Sequence, residues 1–224
     1  MRKLFVIILL AHIICPGLLF GALTRTGTSG LINTPTTSLI GAGESNSASH
    51  LYFPESETVF SMKGTFGYGE KTEVSVSRFF SSAESNGYDV IFSPKYLLRP
   101  NMALGGVFDF SKGMKDSLYL ISGIPENRVF LGAGLNLGKS NEKLGHFGGY
   151  NESGNVKTAF FLFGAEYDVE PQLKALFDYN GNNFSFGVRY TMDRLFRVDA
   201  GLNTKTFASE DNEFYLGVQL IPDN

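Results

Sequence analysis

The 224-residue chain has no tryptophan, one cysteine and, beyond its N-terminal segment, no apolar run long enough for a membrane helix. The cysteine, Cys15, lies inside that first segment, so the exported chain is expected to carry no thiol and no disulfide. There is no charge excess either. With 19 Lys+Arg against 22 Asp+Glu, the basic footprint of a nucleic-acid binder is missing, and no nucleic-acid partner is expected. Histidine is scarce: beyond the N-terminal segment only His50 and His146 remain, and neither has a neighbour that marks it as a general base. Two clusters, "DYNGNN" at 178–183 and "SEDNE" at 209–213, superficially resemble calcium loops. The first lacks the following acid and reads as a hairpin turn, and the second reads as a solvated loop. "GAGLNLG" has phosphate-loop glycines but no helix after it, so its glycines read as strand positions facing bulky neighbours such as Phe130. No catalytic, cofactor-binding or metal-binding residue is expected, and no cofactor; the chain reads as a non-enzyme.

What is present is glycine and aromatics, 26 Gly with 21 Phe and 10 Tyr, a mixture that suits many short strands better than helices. Arg2 and Lys3 precede an apolar stretch from Leu4 to Cys15, broken by Pro16-Gly17 before the small residues Gly21-Ala22. Residues 1–22 therefore read as a signal peptide, with the mature chain starting near Ala22 or Leu23. Ile14 stands where lipid attachment at Cys15 would want a small residue, and the apolar run is too short for an uncleaved anchor.

From about Ser47 the sequence alternates with period two in segments of the length a tilted membrane-spanning strand needs. In "VFSMKGTFGYG", Phe60, Met62, Phe66 and Tyr68 oppose Ser61, Lys63 and Thr65; in "NFSFGVRYTM", Phe184, Phe186, Val188, Tyr190 and Met192 oppose Ser185, Gly187, Arg189 and Thr191. About twelve such segments are expected, near 47–53, 57–68, 72–80, 89–98, 102–110, 116–124, 128–138, 156–167, 172–179, 183–192, 195–203 and 213–221. Their connections alternate between tight turns, such as Gly69-Glu70-Lys71 and Arg99-Pro100-Asn101, and mostly longer loops, such as 139–155 and 204–212. A soluble sandwich also alternates. The export segment, strand length, loop asymmetry and even strand number favour an all-β antiparallel transmembrane barrel in the outer membrane over residues 47–224. Its polar face, expected to line the lumen, carries Lys63, Lys95, Asp109, Glu166, Lys174, Asp178, Arg189, Arg197 and Asp199, with both signs mixed. Outer-membrane lipids and the barrel-assembly machinery are the implied partners, the latter reading Phe214, Leu216, Val218 and Leu220 on the last strand.

Residues 23–46 form an extended lead-in with no acid before Glu44 and no base after Arg25. Within it, Gly30-Leu31-Ile32-Asn33-Thr34-Pro35-Thr36 followed by Gly41-Ala42-Gly43 resembles the N-terminal motif of the YjbH-like family of outer-membrane proteins. The residues that carry the match are Gly30, Leu31, Thr34, Pro35 and Thr36. That resemblance implies a barrel linked to exopolysaccharide production or export, with polysaccharide or other envelope proteins as partners. From the residues alone, Pro35 fixes its own backbone and holds Thr34 extended, and the segment suits a place at the periplasmic mouth of the barrel. Two functional readings stay open: a narrow pore or export barrel, and a surface-exposed adhesin acting through loops 139–155 and 204–212. A barrel predicts heat-modifiable migration in detergent and outer-membrane fractionation; a soluble monomer without detergent would overturn it.

Overall fold

The computed structural model describes residues 23–24, 30–53, 58–81, 90–110, 116–124, 128–137, 147, 157–192, 196–205 and 212–220. Twelve strands follow in chain order: β1 (Ser45–Phe53), β2 (Val59–Tyr68), β3 (Thr72–Ser81), β4 (Val90–Arg99), β5 (Met102–Asp109), β6 (Asp116–Ile124), β7 (Val129–Leu137), β8 (Ala159–Glu170), β9 (Leu173–Tyr179), β10 (Asn183–Met192), β11 (Phe196–Lys205) and β12 (Asn212–Leu220). Each pairs antiparallel with its sequence neighbours. β1 also pairs with β12, from Ala48 opposite Gln219 to Phe53 opposite Phe214, so the sheet closes and no edge is left open. Closure is the condition for a sheet to lie in hydrocarbon, where an unpaired backbone amide finds no water.

Strand ends follow the alternation to within a few residues. β8 shows why they differ where they do. Outward apolar positions run through Tyr167 to Val169, and pairing with β9 continues through Asp168 and Glu170 across a register shift, where Asp168 meets Arg128 and Lys174 at the rim.

Side chains point alternately to the two faces. Outward positions such as Met62, Phe66, Leu131, Leu135, Phe186, Val188, Phe214 and Leu216 are exposed apolar groups, as a lipid-facing band requires. Arg78 interrupts the band near the outer rim, where its guanidinium sits 5.0 Å from the ring of Phe80. Inward positions are mostly buried. On β5–β8 they are mainly apolar, with Ala103, Val107, Tyr119, Ile121, Phe130, Phe160 and Leu162 forming one wall. Around the rest of the barrel they are mainly polar, including Ser75, Ser77, Ser93, Ser185, Arg189, Asp199 and Gln219.

The abundance of glycine beside aromatics has a direct use on this inner face. A large ring can lie flat across a neighbouring strand only where that strand has no Cβ. The Tyr119 ring covers Gly105, the Phe160 ring covers Gly134, and Tyr215 lies over both Gly187 and Gly201. Phe130 covers Gly123 rather than the glycines of its own strand, whose bulky neighbours come from β8: Leu162 beside Gly132 and Phe160 beside Gly134.

The outward face generates a depth-dependent prediction. Val188, midway along β10, is 46% exposed, and Val188→Arg is expected to cost about 2–4 kcal/mol in bilayer unfolding titrations. The same change at Tyr68, at the end of β2, costs about 0–1 kcal/mol. Equal costs at both positions would argue against an embedded barrel.

Candidate functional site

The residues before β1 do not stop at the mouth. Gly30 to Thr37 are all buried inside the barrel. The chain folds back on itself through a bridge between Gly30 and Pro35, with the Leu31 amide donating to the Thr34 carbonyl at 3.0 Å. Gly30 has no room for a side chain: a Cβ would lie 2.5 Å from the Thr34 carbonyl oxygen and 2.8 Å from Pro35 Cα. The tip of this turn is held by one carboxylate. Asp178 Oδ2 accepts hydrogen bonds from three successive amides, Ile32 at 2.9 Å, Asn33 at 2.7 Å and Thr34 at 3.1 Å. Asn33 Nδ2 then donates to Ser185 Oγ at 2.6 Å and to Asn203 Oδ1 at 3.2 Å. Leu31 packs its methyl group against Gly164, in space that any side chain there would fill.

Asp178 is the second-last residue of β9, close to the end of the barrel away from the tight turns. The segment therefore reaches into the lumen, past the mouth at the tight-turn end where its neutral sequence suggested it would lie. Nearer the mouth, Lys95 Nζ donates to the carbonyls of Thr36 at 3.1 Å and Ser38 at 2.6 Å. Its ion-pair partner Glu73, 3.0 Å away and equally buried, accepts the Ile40 amide at 3.2 Å. Lys63 Nζ donates to the Thr24 carbonyl at 2.7 Å and to Tyr52 Oη at 3.0 Å. Arg189 makes a two-point pair with Asp199, Nε to Oδ1 at 2.8 Å and Nη2 to Oδ2 at 3.3 Å, and its Nη2 also donates to the Leu31 carbonyl at 3.3 Å. Gln219 Nε2 completes the coordination of Asp199 at 2.7 Å.

The nine charged residues of the polar face fall into three groups. Lys63, Lys95, Asp178 and Arg189 touch the inserted segment directly, and Asp199 acts through Arg189. Glu166 and Lys174 pair at 2.9 Å at the rim that carries the tight turns, where Arg128 and Asp168 form a further ion pair, so they lie apart from the segment. Asp109 is buried near the opposite end of β5, and Arg197 stands at the start of β11, opposite Gln219 and Thr191. Glu73, Ser185, Asn203 and Gln219 belong to the same set and are not among those nine. Glu73 was accessible from pattern alone, since it shares the alternation of Ser75 and Ser77. Asn203 and Ser185 gave no signal beyond being polar.

The barrel is also filled from the loop side. Phe147, the one described residue of the 138–156 connection, is buried between Phe160 (ring centroids 5.1 Å, stacked) and Tyr119 (5.7 Å, edge-on), and its carbonyl accepts from Asn136 Nδ2 at 2.9 Å. His50 lies within β1 and its ring covers Gly217, while His146 is outside the described residues. Between His50, Tyr52, Tyr215 and Leu31 a residual void has room for about one water molecule. Among the described residues, no group of His, Cys, Asp and Glu side chains is placed to hold a metal ion.

No family model matches the chain, and no curated protein matches it. Two solved structures share its architecture. The KdgM porin is 9% identical, with a TM-score of 0.55, over 80% of this chain and 99% of that one. The NanC porin is 10% identical, also with a TM-score of 0.55, over 80% of this chain and 100% of that one. Similarity at this level is one of fold. The chain folds as a closed twelve-stranded antiparallel barrel like those of outer-membrane porins.

Asp178→Ala would leave three buried amides without their acceptor, a loss of about 1–3 kcal/mol for each such group. The expected result is at least roughly a hundredfold faster maleimide labelling of Thr36→Cys in the double variant than in Thr36→Cys alone. Heat-modifiable migration reports that the barrel is intact. Unchanged labelling in a folded barrel would show that Asp178 does not retain the segment.

Proposed function

We propose that this protein is a small outer-membrane channel closed by its own N-terminal segment, and that it conducts when that segment leaves the lumen. The observation that carries this reading is how residues 30–40 are held. Apart from apolar packing at Leu31, Ile32 and Ile40, their contacts with the wall are mainly hydrogen bonds with polar and charged side chains and, from Thr34, with the carbonyls of Phe163 and Tyr179. Such contacts exchange for water at small net cost, about 0.5–1.5 kcal/mol each, whereas a continuous apolar core does not. A segment bound in this manner is suited to leave and return.

The finer form of the reading concerns cargo. Lys63, Lys95, Arg189 and Arg197 recur around the polar wall from β2 to β11, and withdrawal of the segment frees Lys63 and Lys95 from its carbonyls. An acidic exopolysaccharide, the cargo that the Gly30–Thr36 motif implies, would find cations along that path. Glu73, Asp178 and Asp199 share the wall, so selectivity for anions is expected to be weak. Adhesion through loops 139–155 and 204–212 is the less favoured reading. The one described residue of loop 139–155, Phe147, faces inward.

Asn33→Asp tests the closure. It replaces the Nδ2 donor to Ser185 and Asn203 with a buried carboxylate near Asp178, which disfavours the inserted state. In planar bilayers the wild type is expected to be mostly closed and Asn33→Asp to conduct persistently, with an acidic oligosaccharide reducing the current. Silence of both proteins, each with a heat-modifiable folded barrel, would overturn the channel reading.

A further inference from the structure

The wall recognises the inserted segment mainly through its main chain. Two carboxylates accept amides, Asp178 from residues 32–34 and Glu73 from residue 40. Three cations donate to carbonyls: Lys63 to residue 24, Arg189 to residue 31, and Lys95 to residues 36 and 38. Donors and acceptors of both kinds are thus met along one polyamide, and the side-chain contacts of Leu31 and Asn33 add to them. The requirements that remain are few. The position of Gly30 tolerates no Cβ, the turn must present three consecutive amides to one oxygen, and no side chain of residues 30–40 carries charge.

We propose that the emptied lumen is a binding site for an uncharged peptide that carries a turn, of which the chain's own residues 30–40 are one occupant. A peptide of this chemistry entering from the periplasmic end takes the place of the segment. The favoured ligand is a peptide rather than an amide-bearing sugar polymer, because only a peptide turn brings three adjacent N–H groups within 3.1 Å of the same carboxylate oxygen. This proposal rests on the reading that the segment is able to leave.

The test uses the full-length Asn33→Asp protein in detergent and in planar bilayers, with a fluorescent peptide of sequence GLINTPTTSLI as the probe. The peptide is expected to bind Asn33→Asp at least about tenfold more tightly than wild type, whose site is occupied, and to close the conducting variant. A peptide N-methylated at Ile32, Asn33 and Thr34, which keeps every side chain and loses the three donors, should bind about tenfold or more weaker. A second variant carrying Asp178→Asn on the Asn33→Asp background should show the same loss. If Asn33→Asp conducts and the peptide neither binds nor closes it, the peptide site is overturned while the channel reading stands. If Asn33→Asp is silent but binds the peptide with sensitivity to N-methylation, the site stands and the channel reading falls. Equal binding of the two peptides, or binding of an N-acetylated sugar oligomer in preference to either, also overturns the proposal.

Discussion

A single carboxylate oxygen meeting three consecutive amides is the constraint around which the interior is organised. Asp178 is buried with no aqueous screening, and an isolated carboxylate in such a place is costly unless donors surround it. The amides of Ile32, Asn33 and Thr34 supply them, and Ser185 and Asn203 secure Asn33 beside them. The dependence runs both ways. The turn between Gly30 and Pro35 leaves these amides without the intrachain acceptors a helix or hairpin would give, so the segment needs the acid as much as the acid needs the segment.

The same reasoning explains why the segment is neutral from Thr26 to Gly43. The wall charges that face one another are already matched, Lys95 with Glu73 at 3.0 Å and Arg189 with Asp199 at 2.8 Å. An additional charged side chain among residues 30–40 would enter a low-dielectric space with its possible partners engaged. Peptide groups fit because each pair retains unused capacity, a lone pair on the acid and an N–H on the base. Backbone dipoles take up that capacity without upsetting the pairing. The ion pairs therefore position the segment while keeping the lumen near neutrality.

Much of the barrel was legible in the sequence, because period-two alternation is enforced by lipid on one side and by close packing on the other. Twelve strands, their facing and the closure of the sheet follow from patterns such as Met62 against Lys63 and Val188 against Arg189. The depth of the N-terminal segment was not legible. Its residues carry no periodicity, and Asp178, its principal contact, lies 144 residues from Thr34, in a hairpin that reads locally as a turn signal. Nor could Gly164 be read as the space for Leu31, since a strand glycine looks the same whether a neighbouring ring or another segment fills the place of its side chain. Pairings across a closed lumen depend on shear and register, and neither is written in any one stretch.

The two halves of the lumen have different consequences for opening. On β5–β8 the wall is apolar and is covered by Phe147, whose ring stacks on Phe160 and meets Tyr119 edge-on. Contacts of this kind lose free energy in proportion to the apolar area returned to water, so this side has no reason to empty. On the opposite arc the inserted segment meets serines, asparagines and ion pairs that water satisfies nearly as well, while Leu31 and Thr34 reach β8, at Gly164 and at the Phe163 carbonyl. An aqueous path, once the segment withdraws, would therefore run along β1–β4 and β9–β12 and remain blocked along β5–β8. Such a path is a crescent rather than a central pore. Its width is set by the folded-back segment that the wall holds, a turn closed between Gly30 and Pro35.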